Sequence, residues 1–225
     1  MSKPIRIALV GATGLIGMSL IRYGVGRSDL FRIAGIARRE TALPNGARME
    51  LLVAEPAGWP NAIAAANADV LVCALGTTWR KAGKDEAAFR AVDQELVLAC
   101  GTAAKAAGVR QMIVISSVGA DAGAKNFYLR VKGEVEQQLG KLGLPRLDVL
   151  RPGLLRGPRE EVRPAERLGM LASPLFDLGL HGQFRKYRSI KAEQVAQAII
   201  GLTQEKANGR FVFEHDAILR AARKA

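Results

Sequence analysis

Cysteine, histidine and aromatic residues are scarce in this sequence of 225 residues, which has two cysteines, two histidines and 5% aromatic residues. Cys73 lies in an apolar run and Cys100 in a helical pattern, so we expect two buried free thiols. Free thiols favour a reducing compartment, and we predict the cytoplasm. His181 and His215 lie far apart and have no partners at ligand spacing, so no metal site is expected.

Long hydrophobic runs and acidic residues are also in short supply. No run of about 18 apolar residues occurs, so no membrane span is expected, and the first strand-like run begins too early for a secretory signal. The chain has 33 basic and 21 acidic residues, a net charge of +12. Because the basic residues are dispersed and base-stacking aromatics are few, we expect a phosphorylated or other small-molecule ligand and no nucleic acid.

Apolar strands alternate with helical patterns along most of the chain. Strands are predicted at 5–10, 31–37, 48–53, 69–75, 111–116, 147–150 and 210–214, and helices at 15–23, 59–66, 85–107, 127–142, 191–203 and the C-terminal end. This order predicts an α/β fold, a Rossmann-type doubly wound parallel sheet with helices on both faces. We expect a single domain over 1–225, with a cofactor core (1–153), a small lid segment (154–190) and a closing helix and strand (191–225).

The first strand is followed at once by three glycines. Gly11, Gly14 and Gly17 lie three residues apart, not in the spacing of the commonest dinucleotide fingerprint. They can nevertheless serve the same purposes as the glycines of that fingerprint. Gly11 permits a tight turn, Gly14 lets the backbone approach a pyrophosphate, and Gly17 lets the helix pack closely on the sheet. The helix N-terminus then stabilises the phosphates. At a first strand–helix junction this loop predicts a nucleotide site.

The second predicted strand ends in Arg38 and Arg39, and no acid lies at its tip. NAD-selective sites place Asp or Glu there to bind the ribose 2′-hydroxyl. Guanidinium groups suit a 2′-phosphate instead. We therefore predict NADP(H), with NAD(H) as the less favoured alternative.

Hydroxyl groups and a cation follow in the second half of the cofactor core. Ser116 and Ser117 end a buried strand, and Tyr128 and Lys132 share one face of the next predicted helix. An ammonium beside a phenol stabilises the phenolate, which suits Tyr128 to proton exchange with a carbonyl or alcohol oxygen. A serine hydroxyl at the strand end would hold that oxygen.

The chain resembles a short, atypical short-chain dehydrogenase/reductase, and most resembles the Tat-interacting-protein-like oxidoreductases. The resemblance rests, in chain order, on Gly11-Ala12-Thr13-Gly14-Leu15-Ile16-Gly17, Leu75-Gly76-Thr77-Thr78, Ser116-Ser117, Tyr128 to Lys132, Val131-Lys132-Gly133-Glu134 and Leu150-Arg151-Pro152-Gly153. Cys73-Ala74-Leu75-Gly76 stands where many full-length members carry Asn-x-Ala-Gly.

The resemblance implies a role for each matching residue. The phosphate loop would comprise the three glycines with Thr13 and Leu15, and Arg38 and Arg39 would meet the 2′-phosphate. Leu75 and Gly76 would line the adenine-ribose side, and Pro152 and Gly153 would lie near the nicotinamide. Catalysis would use Ser117 (or else Ser116) to orient the substrate, Tyr128 as acid/base, and Lys132 to bind the nicotinamide ribose.

These residues predict an NADP(H)-dependent oxidoreductase that acts on a small carbonyl or alcohol, as a monomer or homodimer. The alternative is an NADPH-binding regulatory protein with little or no turnover, because some atypical members bind the cofactor as redox sensors. The Tyr–Lys pair favours the enzyme.

Overall fold

The computed structural model describes residues 3–157, 177 and 179–225. Seven parallel strands form one sheet in the order β3-β2-β1-β4-β5-β6-β9. In chain order they are β1 Ile5–Val10, β2 Phe31–Ala37, β3 Glu50–Val53, β4 Val70–Cys73, β5 Gln111–Ile115, β6 Arg146–Leu150 and β9 Gly209–Phe213, and a separate pair consists of β7 Leu155–Arg156 and β8 Ile190–Lys191.

Helices connect the strands and cover both faces of the sheet. They are α1 Leu15–Gly24, α2 Trp59–Ala65, α3 Glu86–Arg90, α4 Val97–Ala106, α5 Phe127–Lys141, α6 Ala192–Thr203 and α7 His215–Ala222, with short 3₁₀ turns at Pro56–Gly58 and Gly182–Tyr187. Within the described ranges, none of these helices is long and apolar enough to cross a membrane.

Strand residues alternate between two buried cores. Ile7 and Leu9 of β1 face a core that includes residues of α1, α6 and α7, whereas Ala8 and Val10 face a core that includes residues of α2, α4 and α5. Successive side chains of a strand point to opposite faces, so an unbroken apolar run such as residues 7–10 of β1 fills both cores. This explains why β4 and most of β1 are apolar at consecutive positions, and it confirms the predicted doubly wound architecture.

The strand order reverses beside β1, since the chain builds β2 and β3 on one side of it and β4 onward on the other. Connections that leave β1 and β4 in opposite directions open a crevice beyond the carboxyl ends of these strands, the usual place for a ligand in such sheets. The glycine loop follows β1, and residues 74–77 follow β4. The predicted cofactor segments therefore meet at this crevice.

Several predicted boundaries differ from those observed: the third strand begins at Glu50 and not at 48, and the fourth ends at Cys73 and not at 75. Two further differences have a physical cause. The single helix predicted over 85–107 is interrupted at Ala91–Leu96, which forms a π-helical turn between α3 and α4. The sixth strand begins at Arg146 and not at 147, because the buried Arg146 guanidinium pairs with Asp148 on the same strand, 2.7 Å from Nε to Oδ2. The charge of Arg146 marks it as a loop residue in sequence, but this ion pair allows it inside the sheet.

Much of the predicted lid segment, residues 158–176 and 178, lies outside the described residues. Its described ends form β7 and β8, which pair in parallel through Leu155↔Ile190 and Arg156↔Lys191. The division of the chain into core, lid and closing elements stays a prediction.

Candidate cofactor and active site

The glycine loop packs tightly against the segment after β4. Gly11 has φ +86°, and a Cβ there would lie 2.6 Å from the carbonyl oxygen of Ala74. A Cβ on Gly17 would lie only 2.2 Å from the carbonyl oxygen of Gly11. Both positions therefore require glycine, the first for the turn and the second for the approach of α1 to the loop.

Gly14 differs from the other two glycines. Its φ of −74° is open to any residue, and a Cβ would lie 3.3 Å from the Gly11 carbonyl oxygen. As the N-cap of α1, Gly14 contributes no capping side chain. The first N–H groups of a helix have no intrahelical acceptor, so this helix start can bind an anionic oxygen group. The loop thus fits a nucleotide pyrophosphate.

Arg38 and Arg39 directly follow β2 and are exposed. Within the described residues, neither guanidinium has an ion-pair or hydrogen-bond partner. Strands β1 and β2 are adjacent and parallel, so the two arginines lie at the same edge of the sheet as the glycine loop. Two unpaired guanidiniums at this place fit a 2′-phosphate, whereas a carboxylate that could bind a 2′-hydroxyl is missing from the tip of β2.

Asp93 is a buried carboxylate that connects the segment after β4 to the helix α5. It lies in the π-helical turn and is 1% exposed. Its Oδ2 accepts a hydrogen bond from the backbone N–H of Thr77, 2.7 Å away, and its Oδ1 lies 2.8 Å from Nζ of Lys132. The residues Leu75 and Gly76, predicted to line the adenine-ribose side, immediately precede Thr77.

Lys132 is buried and charged. Burial disfavours its ammonium, but the adjacent Asp93 carboxylate and the nearby Tyr128 favour it, and the net effect raises the pKa of Lys132 above its ordinary value. The Nζ atom also lies 6.0 Å from the centroid of the Tyr128 ring. The structure thus brings the predicted Tyr–Lys pair together and adds Asp93 as a third member.

Aromatic side chains surround the start of α5, where Tyr128 lies. The Phe89 ring packs edge-on against Tyr128 at a centroid distance of 5.8 Å. Phe127 contacts Phe89 at 5.6 Å and Trp79 at 5.3 Å. Asn126 caps the helix by accepting a hydrogen bond from the Leu129 N–H at 3.1 Å. The tyrosine therefore lies in the first turn of a well-anchored helix.

The two serines at the end of β5 have different environments. The Ser116 hydroxyl is buried and donates to Oε1 of Glu136, 2.5 Å away. That carboxylate also binds the guanidinium of Arg151, with Nη2 to Oε2 at 2.5 Å. Ser117 is half-buried, and among the residues that the structure describes its hydroxyl has only a long contact of 3.4 Å with the Val118 carbonyl oxygen. Of the two hydroxyls, that of Ser117 is available to a ligand.

Close backbone contacts fix the positions of α5, the Ser117 segment and the segment after β6. A Cβ on Gly133 would lie 2.2 Å from the backbone of Asp121 and Ala122, so glycine lets α5 pack onto the loop that follows Ser117. Pro152 accepts a hydrogen bond from the Val118 N–H at 3.1 Å. A Cβ on Gly153 would meet the Arg188 carbonyl oxygen at 2.4 Å. Pro152 thus lies next to the Ser117 segment, and Gly153 packs against the backbone of Tyr187 and Arg188.

Sequence reasoning did not single out Asp93 or Glu136. Asp93 did leave a signal, because Phe89, Val97 and Cys100 are buried at helical spacing around it, and a lone acid on the apolar face of a helix needs a buried partner. Glu136 left a weaker signal in the sequence, because its partners Ser116, Arg151 and Arg210 come from three separate segments. Both cysteines are buried free thiols, as predicted.

Residues 11–206, most of the chain, match a family described as NAD(P)H-binding. The chain belongs to this NAD(P)H-binding family. Its sequence is 37% identical over 166 residues to Protein HTATIP2 of Rattus norvegicus, covering 72% of this chain and 67% of that protein. The resemblance to the atypical short-chain dehydrogenases/reductases is thereby confirmed, and it supports nucleotide-dependent oxidoreductase chemistry.

A second relative corrects the predicted compartment. The chain is 30% identical over 209 residues to "Protein fmp52, mitochondrial" of Aspergillus niger, covering 90% of this chain and 88% of the relative. Proteins of the same name from other fungi also match. These names contradict the prediction of a cytoplasmic location. Buried free thiols indicate a reducing environment only, and they do not distinguish one reducing compartment from another.

Solved structures share the fold at low sequence identity. A putative NAD-dependent epimerase/dehydratase from Bacillus halodurans superposes with a TM-score of 0.69 at 20% identity and covers 98% of this chain and 100% of that one. The enzyme WbmH of Bordetella bronchiseptica in complex with NAD+ gives 0.71 at 15% identity, covering 94% and 76%. These similarities confirm the Rossmann-type fold.

Proposed function

We propose that this protein is an NADP(H)-dependent oxidoreductase that acts on a small carbonyl or alcohol through Ser117, Tyr128 and Lys132. The observation that carries the proposal is the buried Lys132 ammonium, which lies 2.8 Å from the Asp93 carboxylate and 6.0 Å from the centre of the Tyr128 ring. A buried cation next to a half-buried phenol at a ligand crevice is an arrangement suited to acid/base chemistry.

The cofactor would be held by the residues around the crevice. The pyrophosphate would bind at the glycine loop and the N-terminus of α1, with Thr13 and Leu15 beside it, and the 2′-phosphate at Arg38 and Arg39. Leu75 and Gly76 would line the adenine-ribose side, and Pro152 and Gly153 the nicotinamide side. When bound, NADP(H) supplies or accepts the hydride.

The protein's own groups manage the proton and the substrate oxygen. The Ser117 hydroxyl orients that oxygen by a hydrogen bond, and the Tyr128 hydroxyl gives or takes the proton. The Lys132 ammonium stabilises the phenolate that results. Asp93 acts as a positioning residue, because it keeps Lys132 charged and connects it to the cofactor-lining segment through Thr77.

The proposed chemistry is tested by measuring NADPH oxidation with a panel of aldehydes, ketones and quinones, and NADP+ reduction with the corresponding alcohols. At least one class should react. If NADPH binds but no member of the panel reacts, the regulatory alternative replaces the enzyme.

Cofactor selectivity gives a first prediction. Replacing Arg38 and Arg39 together by alanine should weaken NADPH binding about 10–100-fold and leave NADH binding unchanged, because charge-assisted bonds to the 2′-phosphate are lost. Fluorescence titration with both nucleotides measures this. Replacing Arg32 and Arg48, two other exposed arginines, removes the same charge and should not alter selectivity. A parent protein that binds NADH more tightly would refute the assignment.

The phosphate loop gives a second prediction. Gly14→Val should weaken binding of both nucleotides more than about 100-fold, since the new side chain would occupy the place of the pyrophosphate and cost several charged hydrogen bonds. The backbone there suits valine, so the variant should keep its circular dichroism spectrum. Gly140→Val, which adds the same side chain at an exposed position of α5, is the control. Unchanged affinity in a folded Gly14→Val protein would place the nucleotide elsewhere.

A further inference from the structure

Arg156 lies beside the segment that we assign to the nicotinamide side of the crevice. It is the second residue of β7, three positions after Gly153. The same stretch contacts the Ser117 segment, because the Val118 N–H donates to the Pro152 carbonyl oxygen. In the β7–β8 ladder, Arg156 lies opposite Lys191, so two cationic residues are neighbours at this place.

The neighbours of Arg156 show which way its side chain leaves the strand. Leu155 packs against the core that includes α1 and α6. A Cβ on Gly157 would lie 2.8 Å from Leu15 Cδ1 and 3.4 Å from Ala192 Cβ, on the first residues of those two helices. Because side chains alternate along an extended strand, Arg156 is directed away from these helices.

The Arg156 guanidinium lacks the compensation that Arg151, Arg185 and Arg210 have. Its Nε is buried, and within the described part of the chain it has no hydrogen-bond partner. Arg151 and Arg210 both pair with Glu136, and Arg185 pairs with Asp216. A buried donor without an acceptor is costly and rare in folded proteins, and a catalytic role or the binding of an ion is among its recognised explanations.

We propose that Arg156 binds an anionic oxygen group of the substrate, a carboxylate or a phosphate, so that the protein prefers anionic carbonyl compounds to neutral ones. A guanidinium can bind either group through two parallel hydrogen bonds. This inference rests on the proposed function, because it names the substrate class of the same site.

The phosphates of the cofactor are the other source of the same chemistry. The structure favours the substrate, since Gly157, and not Arg156, faces Leu15 at the start of the helix assigned to the pyrophosphate. Arg38 and Arg39, on the far side of β1, are assigned to the 2′-phosphate. The experiment below separates the two sources by measuring NADPH and substrate binding independently.

The test compares 4-carboxybenzaldehyde with benzaldehyde, two probes that differ by one carboxylate. Their binding to the protein–NADPH complex is measured by quenching of NADPH fluorescence, and their reduction by NADPH oxidation. We expect the charged probe to bind about 10–100-fold more tightly, as for hydrogen bonds to a charged group. Arg156→Gln should abolish the difference without changing NADPH affinity, and Arg156→Lys should keep part of it. Arg223→Gln, at an exposed C-terminal position, should behave as the parent.

The results separate this inference from the proposed function. A preference for the charged probe in binding, lost in Arg156→Gln, supports the anion site even if neither aldehyde is reduced, in which case the proposed chemistry fails alone. The inference is overturned by equal binding of the two probes, by no binding of either, or by a preference that survives Arg156→Gln. Weaker NADPH binding by Arg156→Gln also overturns it and assigns the residue to the cofactor phosphates.

Discussion

Tyr128→Phe should lower turnover about 10²–10⁴-fold, the usual contribution of a general acid/base group, and leave NADPH affinity unchanged. The substitution removes only the hydroxyl that exchanges the proton. The ring can keep its edge-on contact with Phe89 and its place beside Lys132, so the architecture of the crevice should survive. The loss should therefore fall on the chemical step.

The measurement uses any substrate found by the NADPH-oxidation panel, with single-turnover rates to isolate the chemical step. Tyr23→Phe is the matched control, because it removes a phenol oxygen from α1, where Tyr23 stacks on Phe31. This control should turn over as fast as the parent. If Tyr128→Phe also does so, the mechanism assigned to Tyr128 is wrong.

Asp93→Ala should lower the free energy of unfolding by about 3–5 kcal/mol at neutral pH, the usual cost of removing one partner of a buried ion pair. The side chains of Lys132 and Asp93 are 7% and 1% exposed, so water cannot replace the missing carboxylate. Chemical denaturation monitored by circular dichroism measures the loss. For comparison, removing Asp216 from its exposed pair with Arg185 should cost about 0–1 kcal/mol.

The pH dependence of this variant has a defined sign. In the parent protein, folding raises the pKa of Lys132. The stabilisation that the ion pair contributes is therefore complete at any pH below the pKa of an unfolded lysine. It is lost only when the pH rises through the higher pKa of the folded state. Without Asp93, burial dominates and the pKa of Lys132 falls below its ordinary value. The unfolded variant then binds more protons than the folded one, and its stability should rise as pH rises toward the unfolded pKa of a lysine.

A second substitution separates the ion pair from other effects at this place. Replacing both partners, with Asp93→Ala and Lys132→Met, should recover most of the lost stability, because no buried charge remains. It should not recover turnover, since Lys132 is part of the proposed site. A loss below about 1 kcal/mol in Asp93→Ala would contradict the buried ion pair.

The order of strands and helices could be predicted from local sequence patterns. Apolar runs such as those of β1 and β4 fit strands buried on both faces, and the three glycines occur where a strand must turn directly into a helix. The long helix at 85–107 could be predicted by its periodicity, but not its π-helical turn. That turn leaves the apolar periodicity of its neighbours intact, so the pattern gives no sign of it.

The sequence by itself determined the Rossmann-type fold, the glycine loop after β1 and the placement of Tyr128 and Lys132 on one helix, because each depends on residues that are neighbours along the chain. Only the tertiary structure decided the partner of Lys132, the different environments of Ser116 and Ser117, and the lack of a partner for Arg156 Nε among the described residues. Asp93 meets Lys132 across two helices, and Glu136 meets Ser116 across a strand and a helix. Such contacts depend on distances between elements that are remote in sequence, and local periodicity contains no information about those distances.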